Sequence, residues 1–203
     1  SIYKGAVTMN GLVNEIVDVM KSESGKMRLR VAEYDIVGFL REIYVTFEEY
    51  ARQRNIELTF TSPKEQDIVL KYDKRQMEKV FFNILSNAFK YTPPGGSVNI
   101  EVARTKDGAA VRISDSGSGI EQQHLEHIFE MFYQDDNLNA SQPNQGSGIG
   151  LSLTKALVEM HDGSVSVASK IGEGTCFTVQ LKEDPKFSGE VILAEDIVLT
   201  GTV

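Results

Sequence analysis

Two runs, SVNIEVAR and AAVRISDS, flank Lys106, Asp107 and Gly108, and each alternates apolar with polar residues. That period of two around a glycine turn predicts an antiparallel hairpin with one buried face. A second pair, SVSVAS and CFTVQL, is joined by KIGEG and reads the same way. Two hairpins need a cover for their apolar faces. Between and before them lie runs with helical period, so the chain must be built in layers rather than as a regular strand-helix alternation.

The first of these covers has Ile36, Phe39, Leu40, Ile43, Tyr44 and Phe47 on one side and Asp35 placed to cap its start. The second begins at Asp73 with Gln76 three residues on, a capping-box pattern, and runs to about Tyr91, where PPGG stops it. Short strands are expected at Met27 to Val31, IELTFT and DIVLKY. A short helix is expected over 121–134, a polar lid-like loop over 135–147, and a helix from about Leu151 to Met160. The expected fold is α+β: a two-layer α/β sandwich, a mixed sheet with helices on one face.

Ile2, Ala6, Met9, Val13, Ile16 and Met20 step by four and three, the seam of a helix that packs on other helices. It reads as part of a helical bundle, or as a helix lying on its own domain, ending near Gly25. Residues 183–203 carry two apolar runs that read equally as linker, added strand or start of a neighbour.

Of the 203 residues, 41% are hydrophobic, enough for one full core. A net charge of −8 argues against a nucleic-acid partner, which needs clustered Lys and Arg. No apolar run approaches the roughly 20 residues that span a bilayer, and no secretory leader pattern is present, so no membrane contact and a cytoplasmic location are expected. Cys176 is the single cysteine, which excludes disulfides within the chain and multi-cysteine zinc sites.

Three constellations carry chemistry. In QGSGIGLSLTKA, Gly146, Gly148 and Gly150 loosen the backbone where a helix starts, which suits an anion held by backbone N–H groups; a mobile loop would read alike. The spacing is neither a Rossmann fingerprint nor a Walker A loop. In DSGSGI, Asp115 closes a strand beside Gly117 and Gly119, where a carboxylate can accept from an amino-substituted ring such as adenine, although a plain Asp-Gly turn has the same letters. In MEKVFFNILSNAFKYT, Met77, Val80, Phe81, Ile84, Leu85 and Ala88 form the core stripe, and Asn83, Asn87 and Lys90 form a polar stripe at i, i+4 and i+7. Asparagine is a mediocre helix former. An amide oxygen is a hard ligand suited to Mg²⁺, and a lysine one turn on can meet phosphate.

Taken in order, NILSNAFKYT, DSGSGI, IFEMFYQ, GSGIGL and GEGTCF resemble the N box, the first glycine box, the F box and the second and third glycine boxes of the histidine kinase catalytic domain, a Bergerat-type (GHKL) ATP-binding fold. The resemblance covers residues 83–177 in its motifs and about 27–182 with flanking elements. The helix in 1–25 resembles the end of the dimerisation and phosphotransfer region.

The resemblance implies a domain at 26–182 that binds ATP and Mg²⁺ and passes the γ-phosphate to a histidine. Asn87 would hold the metal. Asn83, Lys90 and Tyr91 would lie along the metal shell, phosphates and ribose. Asp115, Gly117, Gly119 and Ile120 would receive adenine, with Thr175 backing Asp115 through water. Gly146, Gly148, Ile149, Gly150 and Leu151 would form the lid hinge and phosphate cradle, and Phe129 and Phe132 would anchor the lid. Gln134 departs from the arginine many relatives carry there to meet the γ-phosphate. His124, His127 and His161 lack the neighbours of a phosphoacceptor and read as structural, so the acceptor histidine is expected outside this chain, on a dimerisation domain. A receiver domain of a response regulator and a homodimer of the full-length protein follow as expected partners.

Related ATPases of the gyrase and heat-shock chaperone type place a glutamate where Asn83 stands, and an amide cannot serve as general base for water. That favours a kinase over an ATPase; a degenerate nucleotide-binding interaction module is an alternative, as is a serine kinase of the anti-sigma type, against which the bundle-like N-terminal helix speaks.

Overall fold

The computed structural model describes residues 27–63, 67–133 and 148–193. The expected N-terminal helix, the lid loop, Gln134 and Gly146 lie outside the described residues. The elements run β1 (Arg28–Asp35), α1 (Ile36–Arg54), β2 (Glu57–Thr61), β3 (Val69–Tyr72), α2 (Lys74–Tyr91), β4 (Ser97–Thr105), β5 (Gly108–Asp115), α3 (Gln122–Leu125), α4 (Gly150–Met160), β6 (Ser164–Lys170), β7 (Gly174–Lys182) and β8 (Glu190–Leu193). The short helix expected over 121–134 is a single turn, and 126–132 continue as turns and bends.

Both hairpins form, β4 with β5 and β6 with β7, and β5 also pairs antiparallel with β7. β2 adds parallel to β4, giving the mixed order β2-β4-β5-β7-β6. Cross-strand register builds rows on the covered face. Phe60, Ile100, Ile113, Phe177 and Val167 make one row, and Leu58, Val98, Asp115, Thr175 and Ser169 make the row beside it. The first is wholly apolar; the second turns polar halfway across. The opposite face carries Glu101 and Arg112, paired at 3.8 Å, and is solvated.

α2 buries Met77, Val80, Phe81, Ile84, Leu85, Ala88 and Phe89 between sheet and α1. Removing such apolar area from water contributes about 2–3 kcal/mol for each large side chain, so α2 is the organising element of the core. Phe47 stacks on Phe89 with centroids 5.5 Å apart, and Phe39 meets Phe81 edge-on at 6.2 Å.

The caps at Asp35 and Asp73 form as expected. Asp35 accepts from Val37 and Gly38 backbone N–H groups and also from Ile68 N–H at 3.0 Å, which ties α1 to the chain entering β3. Asp73 accepts from Arg75 and Gln76 N–H, and from Arg30 N–H at 2.8 Å. The capping box is only half of its pattern. Gln76 Oε1 is buried with no hydrogen-bond partner among the described residues, and the Asp73 N–H donates instead to His161 Nε2 at 3.1 Å.

His161 is therefore a structural pin. Its Nε2 accepts from Asp73 and its Nδ1–H donates to the Leu157 carbonyl at 2.7 Å, so the neutral ring fills both positions. Burial is the main cause holding its pKa below the ordinary value, opposed by the Leu157 carbonyl and the Asp73 charge. The folded chain takes up this proton less readily than the unfolded one, so the stability it contributes is complete above the unfolded value of about 6.5 and is lost as pH falls through the folded value. His161→Gln should lower stability at neutral pH by about 1–3 kcal/mol. The gap to the unsubstituted chain should narrow as pH is taken toward 5, and melting curves giving a constant gap would refute the assignment.

Chain beyond β7 folds back over this pin. Lys186 N–H donates to Asp162 Oδ2 at 3.0 Å, and Phe187 meets the His161 ring edge-on. β8 then pairs parallel with β1, while β3 pairs antiparallel on β1's other side, making a separate three-stranded sheet, β3-β1-β8.

Candidate functional site

The site lies at the end of the five-stranded sheet where the polar row sits, against the half-buried polar stripe of α2. Asp115 closes β5 and is held by its own turn: Oδ1 accepts from Gly117 N–H at 2.8 Å and from Thr175 N–H at 3.3 Å. Among the described residues Oδ2 has no protein partner, which leaves it for a donor on a ligand. Burial raises the Asp115 pKa and the two N–H groups lower it, with burial the larger cause.

The loop after β5 is built for close approach. A Cβ on Gly117 would stand 2.6 Å from the Tyr91 carbonyl oxygen, so this glycine lets the loop lie on the C-terminal end of α2. Gly119 has φ +73, and a Cβ there would stand 2.1 Å from the Lys170 carbonyl oxygen, so it packs on the β6–β7 turn. Ile120 N–H donates to Ser169 Oγ at 2.8 Å.

On α2 the stripe divides in two. Asn83 donates through Nδ2 to Thr154 Oγ1 of α4 at 2.9 Å, and its Oδ1 lies so close to Gly150 that a Cβ there would stand 2.2 Å away. Asn87, one turn on, is half-buried, and its amide has no hydrogen-bond partner among the described residues. The Lys90 ammonium sits 4.9 Å from the Tyr91 ring centroid and has no ion pair among the described residues; Tyr91 itself is exposed.

The third wall is the start of α4. α1 and α2 carry aspartate caps, but Ile149, at the cap of α4, makes no side-chain cap hydrogen bond. The first turn of α4 carries no acidic side chain, and the positive end of its dipole favours an anion there. Gly148 joins this end to the turn at Phe132, whose N–H donates to the Gly148 carbonyl at 2.9 Å. Ile149 is buried and Leu151 half-buried. Phe129 packs edge-on to Phe177 of the core, whereas Phe132 is 60% exposed with φ +65.

Two residues absent from the sequence reading belong here. Thr154 fixes the Asn83 amide, and Ser169 joins the loop after β5 to Thr175. Counting the β6–β7 register outward from the KIGEG turn would have placed Ser169 opposite Thr175. The histidines stand apart from this chemistry: His124 pairs with Tyr133, and His127 pairs with Glu130 at 2.8 Å, the main cause raising its pKa.

A sandwich with helices on one face, a strand-end carboxylate, a glycine loop and a helix start with no acidic side chain in its first turn define a nucleotide-binding domain of the GHKL type. The family model described as histidine kinase-, DNA gyrase B-, and HSP90-like ATPase matches residues 72–185, and the chain belongs to that family. Histidine kinase P4 of Formosa agariphila is 37% identical over 195 residues, covering 92% of this chain and 14% of that protein. Sensor histidine kinase TmoS of Ectopseudomonas mendocina is 36% identical over 181 residues, 89% of this chain and 18% of that protein. The chain therefore spans a small part of these relatives. Among solved structures, the nucleotide-free catalytic domain of histidine kinase ThkA superposes with TM-score 0.67 at 25% identity, over 77% of this chain and 99% of that one. Full-length ShkA in complex with AMPPNP shares the fold, with TM-score 0.77 at 23% identity over 91% of this chain and 38% of that one.

Proposed function

We propose that this chain is the catalytic part of a sensor histidine kinase: it binds Mg-ATP and presents the γ-phosphate to a histidine outside the chain. The observation that carries the reading is the Asp115 carboxylate, one oxygen held by two backbone N–H groups and the other without a partner among the described residues, beside the glycine loop. Asp115 Oδ2 would accept from the adenine amino group, with Gly117, Gly119 and Ile120 along the base and Thr175 behind it. Gly148, Ile149, Gly150 and Leu151 would meet the phosphates, with Gln134 and Gly146 completing the lid side.

The donor set suits magnesium. Among the described residues no three His, Cys, Asp or Glu side chains cluster to hold a metal, and Mg²⁺ commonly takes few protein ligands, the rest coming from phosphates and water. Asn87, whose amide has no partner among the described residues, would supply an oxygen, and Lys90 lies one turn on. Bound there, the ion would neutralise charge on the phosphates. Asn83, tied to Thr154, would orient rather than abstract a proton, which separates this site from water-activating relatives. Phosphoryl transfer asks mainly for positioning and charge neutralisation, and these residues offer both.

Residues 1–25 would end a dimerisation and phosphotransfer helix, 26–182 form the kinase domain, and 183–203 a tail that reaches β1. The partners would be the histidine-bearing dimerisation domain and a receiver domain, in a homodimer on the cytoplasmic side of a membrane-anchored bacterial sensor. Among the described residues no helix is long and apolar enough to cross a membrane.

Asp115→Asn replaces an acceptor by an amide that can turn a donor toward the base. Calorimetry should show ATP affinity reduced at least about tenfold, the cost of one mismatched hydrogen bond to a charged group, with the fold retained. Unchanged affinity would remove the reading. A separately supplied histidine-bearing helical hairpin should acquire acid-labile phosphate in the presence of Mg-ATP, whereas fast steady-state ATP hydrolysis by the chain alone would favour an ATPase.

A further inference from the structure

We propose that Ser169 is a positioning residue that fixes the direction of the Thr175 hydroxyl and so sets discrimination at the purine 6-position; this rests on the adenine-site reading above. Ser169 Oγ has one proton and two lone pairs, and three groups surround it. The Ile120 N–H at 2.8 Å can only donate to it, and the Gly174 carbonyl at 2.8 Å can only accept from it. The third neighbour is Thr175 Oγ1 at 2.9 Å. With the serine proton committed to Gly174, the threonine proton must go to the remaining lone pair of Ser169.

Thr175 is buried, on the strand between Ser169 and Asp115, and Oγ1 has no other partner among the described residues. Its proton points along the row toward Ser169, so only lone pairs remain for the Asp115 side. Asp115 Oδ2 likewise offers only lone pairs. Anything lodged against this pair must donate. An exocyclic amine does so; the carbonyl oxygen of a 6-oxo purine meets acceptors alone.

The test is competition of ATP and inosine triphosphate, which differ at the 6-position and the adjoining ring nitrogen's proton, for a fluorescent ATP analogue bound to this chain. The unsubstituted chain should prefer ATP. Ser169→Ala releases the Thr175 proton to turn toward a 6-oxo group, and the preference should shrink about tenfold, the worth of one reoriented hydrogen bond. Ser169→Thr, which keeps the hydroxyl, should restore it. Thr175→Val removes the hydroxyl's lone pairs and should also shrink the preference, and adding Ser169→Ala to it should change nothing further, because Ser169 acts through Thr175. A folded Ser169→Ala with its preference within twofold of the unsubstituted chain would overturn the proposal. Should that variant not fold, an unchanged preference in Thr175→Val overturns it. If ATP binding is absent or insensitive to Asp115→Asn, the adenine reading falls and this inference with it. If binding depends on Asp115 but the preference survives loss of Ser169, the inference alone falls.

Discussion

Asn87→Ala should abolish the magnesium-dependent part of nucleotide affinity, by about 100-fold or more, since even groups that merely orient a metal ligand are worth 10–100-fold. The fold should not suffer. Asn87 has no hydrogen-bond partner to lose among the described residues, it lies on a half-buried stripe, and alanine is the better helix former by some tenths of a kcal/mol. Calorimetry with an ATP analogue, with and without Mg²⁺, should therefore give similar weak binding in both conditions, beside a melting temperature equal to or slightly above that of the unsubstituted chain. A retained magnesium increment would show that the metal is held elsewhere. Asn83→Ala is the contrasting case, because it also breaks the tie to Thr154 that holds α2 against α4.

The second large effect is on stability. Gly174 has φ +98, and a Cβ there would stand 1.9 Å from the Asp115 carbonyl oxygen and 2.8 Å from its carbon, both backbone atoms that cannot swing aside. Gly174→Val should cost about 4 kcal/mol, combining left-handed strain with overpacking, each on the order of 1–3 kcal/mol. In a chain of this size that lowers the melting temperature by roughly 10 °C. Gly172 is the control within the same turn. It has φ +77 but open space around its Cβ position, so Gly172→Ala should cost only about 1–2 kcal/mol. Equal melting temperatures for the two variants would mean that the β5–β7 approach is looser than described. Because the displaced backbone is that of Asp115, any Gly174→Val that still folds should also lose nucleotide affinity.

Legibility in the sequence followed the range of the interaction. The aspartate caps of α1 and α2 act over two or three residues, and Asp35 and Asp73 bond as their spacing predicts. The core stripe of α2 follows from a 3.6-residue period, and six of its members were named from that alone; Phe89, which packs against Phe47, was added by the neighbouring helix. The half of the capping box that failed is instructive. Gln76 had the right spacing to reach back to Asp73, but His161, 88 residues away, took the Asp73 N–H. Local pattern describes what a residue can do and is silent about a distant competitor. The expected helix over 121–134 shrank to one turn: its apolar residues pack on the core individually, as Phe129 does on Phe177, rather than as a helical face.

The sequence by itself determined the two hairpins, the three long helices, the aspartate caps of α1 and α2, the polar stripe of Asn83, Asn87 and Lys90, and the ordered glycine motifs that mark the family, because each is written within a few turns of helix or one hairpin. Tertiary structure alone decided that Ser169, Thr175 and Asp115 stand side by side, that Asn83 is spoken for by Thr154 while Asn87 has no partner among the described residues, and that β8 joins β1 in a second sheet. These depend on strand register and helix docking between residues up to about 160 positions apart, and such pairings gain their free energy only when the whole core closes around them.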